Sequence, residues 1–431
     1  MSKLSKIFYN IFIYIYSGIF TAYIPIIYIK KLKRSLKNKL YRKRWSERFG
    51  NTKLRLKNSI WIHSVSVGES LSAEPLVKKL LEKNPNRNFI ITTTTPTGSD
   101  IVKELYKDYK NVYHTYIPYD TKSFVSQFMA RVNPKVFIII ETEIWPSILN
   151  KCFKEEIPVI IANARLSYRS FRRYIKIPFA SDNLFNRISH ISAQTHKDAK
   201  RFATLGVDKS NITVTGNLKY SLKVPNNLEN ESKEIRESIK NRPIWIAAST
   251  HRGEEEIILK AHENILNIIP NCLLILVPRH KERFNEVSGI INNYSLTQQR
   301  RTKSKSYISN ETQVYLGDTM GELLNLYFLS DVAFVGGSLV NNGGHNFLEP
   351  AALSKAIITG PSLFNFRAIA ESFKKFNALN IINTDQELFK IITSLLNDKG
   401  LLEKNSTAAY KAFKQNNNVV DKQFKEIQKF L

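Results

Sequence analysis

The stretch 331–360 reads DVAFVGGSLVNNGGHNFLEPAALSKAIITG, and it decides the fold. A short apolar run meets the pair Gly336-Gly337, a polar loop carries a second glycine pair, and NFLEP then opens a helical pattern that leads into a second apolar run. This order predicts a strand, a glycine loop, a helix and another strand, which is the repeating unit of parallel α/β proteins. Such glycine turns are also common structural features of α/β folds.

The glycine loop of this stretch is also a candidate binding site. Glycines let the backbone approach a ligand closely, and a helix N-terminus presents unpaired N–H groups, so we expect the loop to hold a phosphorylated ligand. Glu349 in the first helical turn would repel phosphate, but its carboxylate can accept hydrogen bonds from sugar hydroxyls. The pattern therefore favours a ribose beside a phosphate.

Length and composition indicate a folded protein of two domains. The chain has 431 residues, 43% of them hydrophobic and 11% aromatic, which suits two domains of about 150 to 200 residues each. Cys152 and Cys272 are far apart in apolar surroundings. Buried thiols in a reducing compartment are therefore favoured over a disulfide or a metal site.

The charge balance requires an anionic partner. Lys and Arg number 64 against 37 acidic residues, a formal net charge of +27. Nucleic acid, anionic lipid and phosphorylated substrates would all satisfy this charge. The basic regions lack interleaved stacking aromatic residues outside the N-terminal segment, so we do not expect nucleic acid as a partner.

The N-terminal segment predicts a membrane anchor. Residues 8–29 carry no charge, and about 20 apolar residues are enough for a helix to cross a bilayer. Frequent Tyr and Pro25 leave a tilted or interfacial helix open, and a buried core helix is a further alternative. The basic run at 30–44 should lie on the cytoplasmic side against acidic headgroups. Residues 1–45 are therefore interpreted as the anchor and its basic flank.

The rest of the chain alternates strand and helix patterns, which predicts parallel sheets covered by helices. We expect an N-terminal Rossmann-like domain at 46–223, a polar linker at 224–243 and a C-terminal Rossmann-like domain at 244–431 that includes a terminal helix. Ligands of such sheets bind at the carboxyl ends of the strands. The polar clusters of this sequence fall at those ends, so a cleft shared by two facing domains is expected.

Three acidic residues are candidates for chemistry in the first domain. Glu69 follows a strand and heads a helix, where it could serve a reaction or merely suit the helix dipole. Glu141 and Glu143 end the apolar strand VFIII, where a charge is costly without a partner. One could stabilise charge in a reaction while the other fixes it, and a structural ion pair is the alternative. On an extended strand the two would share one side.

Two basic residues also stand at predicted strand ends. Arg279 follows LLILVP and Lys219 follows TVTGN, positions where a fixed cation would meet phosphate. The histidines His63, His251, His280 and His345 lack metal-ligand spacing, so we infer no metal. GxGxxG and the P-loop pattern are absent from the first strand-to-helix turn, which disfavours dinucleotide oxidoreductases and NTPases, and no cofactor is predicted.

An ordered set of motifs then resembles one known family. The motifs are YRKRWSERFG (41–50), HSVSVGES (63–70), TTTTPTGS (92–99), ETEIWP (141–146), IANARLSYRS (161–170), TGNLKY (215–220), STHRGEE (249–255), LILVPRHKERF (274–284), GDTMGEL (317–323) and FVGGSLVNNGGHNFLEPA (334–351). Together they resemble the 3-deoxy-D-manno-octulosonic acid (Kdo) transferases of lipopolysaccharide assembly, over about residues 8–375.

The resemblance implies an α/β fold of GT-B type and an inverting glycosyltransferase. Such an enzyme would be anchored on the cytoplasmic side of the bacterial inner membrane and would move Kdo from CMP-Kdo to the lipid A precursor lipid IVA. By position, Glu69 would be the general base, and Glu141 and Lys219 would stabilise the transition state. The CMP site would comprise Pro278, Arg279, Met320, Gly321, Glu322, Asn346, Phe347, Leu348 and Glu349.

Two positions depart from the family pattern, and two rival functions stay open. Tyr220-Ser221 stand where the family usually has Phe-Asp, and Ser362 stands where it has His. One rival is another GT-B enzyme of envelope biosynthesis that uses a UDP-sugar. The other is a non-enzymatic, membrane-tethered protein that binds anions.

Overall fold

The protein folds as two compact α/β units, each built on its own parallel sheet. The computed structural model describes residues 3–37, 39–222, 224–239, 241–304, 307–415 and 418–431. The first unit comprises Met1–Ser221 and Asn418–Leu431, and the second comprises Leu222–Asn417. The predicted α/β class with two Rossmann-like sheets is confirmed.

The first unit contains a seven-stranded parallel sheet with the strand order β3-β2-β1-β4-β5-β6-β7. Its elements are α1 (Lys3–Lys37), α2 (Trp45–Arg48), β1 (Ser59–His63), α3 (Val67–Lys83), β2 (Phe89–Thr93), α4 (Pro96–Leu105), β3 (Val112–Tyr116), α5 (Lys122–Val132), β4 (Pro134–Ile140), α6 (Pro146–Lys154), β5 (Val159–Ala164), α7 (Tyr168–Ile175), α8 (Pro178–Phe185), β6 (His190–Ala193), α9 (His196–Thr204) and β7 (Ile212–Val214). The central strands β1 and β4 are buried on both faces, because helices cover the sheet on each side.

Helix α1 packs one side against the first unit and exposes the other. Tyr9, Ile13 and Ile24 are buried, and the Ser17 hydroxyl accepts a hydrogen bond from the backbone N–H of Lys122 at 3.0 Å. The outer face is apolar, and Ile19 there is 67% exposed. The segment Phe8–Leu36 is long and apolar enough to cross a membrane, and it is the one such helix within the described ranges.

The last helix, α18 (Val419–Gln428), belongs to the first unit, although the sequence placed it with the second domain. Val419 and Ile427 join the core beneath β1 and β4. The Gln423 side-chain oxygen accepts the backbone N–H of Asn163 at 3.0 Å, at the end of β5. The buried side chains of Val419 and Ile427 and the hydrogen bond of Gln423 thus hold the helix on the sheet of the first unit.

The second unit repeats the architecture with the strand order β10-β11-β9-β8-β12-β13-β14. Its elements are α10 (Leu228–Ile239), β8 (Ile244–Thr250), α11 (Glu255–Ile268), β9 (Leu273–Pro278), α12 (Phe284–Asn293), β10 (Gln298–Arg300), β11 (Val314–Leu316), α13 (Leu323–Leu329), β12 (Val332–Val335), α14 (Leu348–Ala352), β13 (Ala356–Thr359), α15 (Arg367–Lys375), β14 (Asn380–Ile381), α16 (Asp385–Asn397) and α17 (Lys399–Lys414).

The expected linker at 224–243 is largely helix α10. Its sequence is polar on most sides, but Ile235 and Ile239 enter the same core cluster as Ile244 of β8. Two buried isoleucines four residues apart lie on one helical face, which is enough to hold the helix on the sheet.

Candidate functional site

The first group of site residues surrounds Glu69 at the start of α3. Ser66 caps the helix by accepting the backbone N–H of Glu69 at 3.3 Å. The Glu69 carboxylate reaches back, accepting the Val65 backbone N–H at 2.6 Å and the Ser66 hydroxyl at 3.1 Å. This reciprocal arrangement is a capping box, and it holds the carboxylate at the carboxyl end of β1.

The environment of Glu69 raises the pKa of its carboxylate toward neutral pH. Burial and, to a smaller extent, the negative charge of Glu141 raise the pKa of Glu69 to about 7, against the Val65 and Ser66 hydrogen bonds that lower it. A carboxylate with this pKa can both accept and hold a proton near neutrality. Glu143 is similar, since burial raises its pKa to about 7 with added repulsion from Glu69 and Glu141.

Glu141 and Lys219 join this group from other strand ends. Strand β4 ends at Ile140, and Glu141 takes a left-handed conformation with φ 65°. The expectation that Glu141 and Glu143 share one side of an extended strand is therefore wrong. Burial lowers the pKa of Lys219, while the Glu141 carboxylate raises it and the exposed Arg165 lowers it. The structure thus brings Glu141 within electrostatic reach of both Glu69 and Lys219.

Asn163 holds the backbone next to Lys219 in place. It is fully buried with φ 55°, and its side-chain oxygen accepts the backbone N–H of Leu218 at 3.0 Å, next to Lys219. Its backbone carbonyl accepts the Gln194 amide at 2.9 Å. A non-glycine residue in this region costs about 1 kcal/mol or more, which the surrounding hydrogen bonds must offset.

In the second unit the glycine loop holds a carboxylate of the protein itself. The fully buried Glu254 accepts backbone N–H groups from Gly337 at 2.7 Å, Ser338 at 3.0 Å and Leu339 at 2.9 Å. It also accepts the His251 N–H at 2.9 Å. These donors are already used, so the expectation that Gly336-Gly337 cradles a phosphate is wrong at this point of the loop.

Imidazoles and a guanidinium lie beside that carboxylate. His251 and His345 stack with 4° between the ring planes, and their Nε2 atoms are 2.7 Å apart. His280 meets His251 edge-on at 5.3 Å between centroids. Arg279 is exposed at the carboxyl end of β9. Burial lowers the pKa of both His251 and His345, and the charge of Arg279 adds to the effect. The carboxyl ends of β8 and β9 and the loop after β12 thus bring Arg279 next to three imidazoles.

The predicted segment Asn346 to Glu349 divides into two roles. The Asn346 amide donates to Glu349 Oε1 at 2.9 Å, and its oxygen accepts the Leu348 N–H at 3.2 Å. Burial raises the pKa of Glu349, while Asn346 and Arg279 oppose the rise. Phe347 and Leu348 are fully buried in the core, so their side chains hold the loop and only their backbone is left to contact a ligand.

The predicted segment Met320 to Glu322 lies after β11, next to β9 in the sheet. Met320 is 63% exposed, and Gly321 has φ 90°. Arg301 clamps the Glu322 carboxylate with hydrogen bonds of 3.1 and 2.8 Å. This ion pair fixes the turn, and the pKa of Glu322 is lowered chiefly by Arg301.

Within the part of the chain that the structure describes, no group of three or more His, Cys, Asp or Glu side chains could hold a metal ion. Arg165, Asn163 and Glu254 were not identified from sequence as site residues. The partners of all three come from distant elements, and Glu254 is 83 residues away from its partner Gly337.

Comparison with known proteins adds independent findings. The family model described as 3-deoxy-D-manno-octulosonic-acid transferase (kdotransferase) matches residues 43–222. A 3-deoxy-D-manno-octulosonic acid transferase from Haemophilus influenzae is 43% identical over 394 residues, covering 90% of this chain and 91% of that protein. The protein of the same description from Rickettsia bellii is 32% identical, covering 94% and 97%.

A solved structure supports the fold. The crystal structure of UDP-GlcNAc 2-epimerase from Neisseria meningitidis bound to UDP-GlcNAc superposes with a TM-score of 0.59. It covers 86% of this chain and 100% of that one at 13% identity. At that identity the likeness shows two Rossmann-like sheets of the GT-B class and nothing about the ligand.

Proposed function

The chain belongs to the 3-deoxy-D-manno-octulosonic acid transferases, glycosyltransferases of lipopolysaccharide biosynthesis, and we propose that it moves Kdo from CMP-Kdo to lipid IVA with inversion. The observation that carries this proposal is the Glu69 carboxylate, held by its capping box with a pKa raised to about 7 beside Glu141 and Lys219.

In the proposed reaction Glu69 is the general base. It takes the proton from the acceptor sugar hydroxyl, whose oxygen attacks the anomeric carbon of Kdo from the face opposite to CMP. The bond from that carbon to the phosphate oxygen breaks, and CMP leaves with the electron pair. Glu141 and Lys219 stabilise the charges that develop in the transition state, because fixed charges need little reorganisation during the reaction.

The second unit binds the donor nucleotide in this proposal. Arg279 supplies a permanent cation for the phosphate, and the Asn346–Glu349 pair supplies acceptors for the ribose hydroxyls. Pro278 and the backbone of Phe347 and Leu348 shape the same edge. The turn from Met320 to Glu322, held by Arg301, completes the CMP site. No metal or cofactor has a role in this scheme.

We assign the enzyme to the cytoplasmic side of the bacterial inner membrane through α1. One side of that helix is buried against the first unit and the other is apolar and exposed, which favours a helix lying in the membrane interface over one that crosses alone. Helix α7 adds exposed Arg169, Arg172 and Arg173. These charges suit a phosphorylated lipid acceptor at an acidic surface.

A direct assay tests the proposal. The purified full chain in detergent is incubated with CMP-Kdo and lipid IVA, and the products are weighed by mass spectrometry. We expect lipid IVA to gain the mass of Kdo and CMP to be released. Transfer from a UDP-sugar, with thermal protection by UDP and none by CMP, would contradict the proposed donor.

A further inference from the structure

Two cations of the first unit are withdrawn from water without a carboxylate partner. Arg48, the last residue of α2, is 5% exposed. Its guanidinium donates to the backbone oxygen of Thr94 at 3.0 Å and lies over the Tyr116 ring at 4.0 Å. Lys31 of α1 is half-buried, and its Nζ lies 5.8 Å from the centre of the Trp45 ring. Within the described ranges neither cation forms an ion pair, although a desolvated charge is costly without one.

A buried hydroxyl lies beside these two cations. Tyr119 is 8% exposed, and its hydroxyl has no hydrogen-bond partner among the residues that the structure describes. Lys31 Nζ lies 5.4 Å from the centre of the Tyr119 ring, and the Arg48 backbone oxygen accepts the Tyr119 N–H at 2.8 Å. Buried polar groups nearly always have a partner, so an orphaned hydroxyl next to two cations needs an explanation.

The positive charge of Arg48 reaches both of the other groups. Burial and, to a smaller extent, the charges of Arg48 and Arg34 lower the pKa of Lys31 to about 7. Burial raises the pKa of Tyr119, and Arg48 opposes that rise. Lys31, Arg48 and Tyr119 therefore form one group of donors, which we call the N-terminal cation cluster.

The neighbouring acidic side chain, Glu47, is already used. Its carboxylate accepts two hydrogen bonds from the Arg44 guanidinium, at 2.7 and 2.8 Å. The same carboxylate accepts the backbone N–H of Tyr116 at 3.0 Å. Glu47 is thus committed to another cation. An anion from outside the chain would satisfy the N-terminal cation cluster with charge-assisted hydrogen bonds.

The cluster lies between the membrane helix and the loop that holds Glu69. Lys31 comes from α1, whose outer face is apolar and exposed. On the other side, Thr94 accepts from Arg48 and donates its hydroxyl to the Val65 backbone oxygen at 3.1 Å. Val65 in turn donates its N–H to the Glu69 carboxylate at 2.6 Å. An anion bound by the cluster would therefore lie near the membrane surface and next to the loop that carries Glu69.

We propose that the N-terminal cation cluster binds a phosphate monoester of the acceptor lipid and so orients the acceptor sugar toward Glu69. The inference rests on the proposed function and names the acceptor group that the first unit recognises. A phosphate monoester carries a charge of about −1.5 to −2 at pH 7 and has three strong acceptor oxygens. Two cations and one hydroxyl match this charge and this number of oxygens. The phosphate diester of a bilayer headgroup is the other source of the same chemistry.

The test measures equilibrium binding of lipid IVA to the purified full chain in detergent, without CMP-Kdo. We expect Lys31→Met to raise the Kd about tenfold to a hundredfold, as for one lost charge-assisted hydrogen bond. Tyr119→Phe should raise the Kd about threefold to tenfold. Its Tm should equal that of wild type, because the removed hydroxyl has no partner in the described protein. Lys135→Met changes an exposed lysine at the start of β4 and is the control that should bind as wild type.

Two further ligands identify what the cluster binds. Lipid IVA is compared with forms from which either phosphate has been removed. Removal of the recognised phosphate should weaken wild type to the level of Lys31→Met, and the variants should then lose nothing more. Phosphatidylglycerol vesicles test the bilayer headgroup. Tyr119→Phe, which changes no charge, should sediment with these vesicles as wild type does.

The outcomes separate this inference from the proposed function. Wild-type affinity of both variants for lipid IVA would overturn the inference. An equal loss with every form of lipid IVA would also overturn it, because the effect would not depend on a phosphate. Loss of vesicle binding in Tyr119→Phe would assign the cluster to a bilayer headgroup and overturn the acceptor site. A wild-type chain with the expected phosphate-dependent binding and no Kdo transfer would overturn the proposed function and leave the site standing.

Discussion

Glu254 Oε2 accepts the backbone N–H of Gly337 at 2.7 Å, across 83 residues of sequence. This buried carboxylate thereby occupies the backbone N–H groups of the glycine loop that could otherwise bind an anion. A Cβ at the preceding Gly336 would lie 2.9 Å from the same oxygen, so the glycine is required by this contact. The loop geometry that suggests phosphate binding here serves the fold.

We expect Glu254→Gln to destabilise the second unit. The amide has one oxygen for four N–H donors, and a buried donor left without a partner costs about 1 to 3 kcal/mol. The free energy of unfolding in urea should fall by about 2 to 3 kcal/mol. The exposed neighbour Glu256→Gln is the control and should change little. Equal stability of the two variants would show that the Glu254 hydrogen bonds contribute nothing net.

The pH dependence of stability should reveal Glu143. Its pKa is raised from 4.5 to about 7 in the folded protein, so the folded state holds more protons than the unfolded state between these values. The associated stability is present at low pH and is lost as pH rises through 7. At pH 8 the free energy of unfolding of Glu143→Gln, measured in urea, should therefore exceed that of wild type by about 2 kcal/mol. At pH 5 the two proteins should be nearly equal in stability.

The exposed Glu82→Gln variant controls for a general change of charge in that experiment. A Glu143 variant that is less stable than wild type at pH 8 would mean that the surroundings stabilise the ionised carboxylate, which is the opposite of a raised pKa.

Arg279 should matter for the donor and not for folding. Arg279→Ala should weaken CMP binding by about tenfold to a hundredfold, as expected for a lost hydrogen bond to a charged group of about 1.5 to 3 kcal/mol. The control is Arg252→Ala, which removes an exposed cation that pairs with Glu286 at 3.0 Å. This variant should bind CMP with wild-type affinity. Wild-type CMP affinity in Arg279→Ala would remove this residue from the site.

The exposed face of α1 should decide membrane binding. The double variant Ile15→Lys, Ile19→Lys should lose about 3 kcal/mol of partitioning into anionic vesicles, since each isoleucine contributes about 1.5 kcal/mol or more when buried. Sedimentation with vesicles measures this loss. Ile268→Lys changes an isoleucine of the second unit that is 58% exposed, and it should leave sedimentation unchanged. Full retention of the double variant on vesicles would exclude this face as the contact.

Long apolar runs made most of the fold predictable. The strand VFIII before Glu141, for example, is buried on both faces and needs no distant information to be recognised. Helix α10 was not predicted from the sequence, because only a narrow stripe of the helix, including Ile235 and Ile239, is apolar. Helix α18 was identified as a helix, but its partner sheet lies more than 200 residues earlier in the chain.

The candidate site was predictable where a residue follows its own strand, and not where a distant element holds it. Glu69, Lys219 and Arg279 lie at strand ends, which sequence reading locates. The Ser66-x-x-Glu69 capping box was readable locally, but its consequence for the pKa depends on burial by the whole unit. The capture of the glycine loop by Glu254 joins two elements 83 residues apart, and no local pattern contains that information.

The central claim is that Glu69 is the base, and single-turnover kinetics of Glu69→Gln with CMP-Kdo and lipid IVA test it most directly. We expect the rate to fall about a hundredfold to ten-thousandfold, the usual contribution of a general base, with CMP affinity within about twofold of wild type. Glu82→Gln should keep wild-type kinetics. A Glu69→Gln enzyme that transfers Kdo at the wild-type rate would contradict the account.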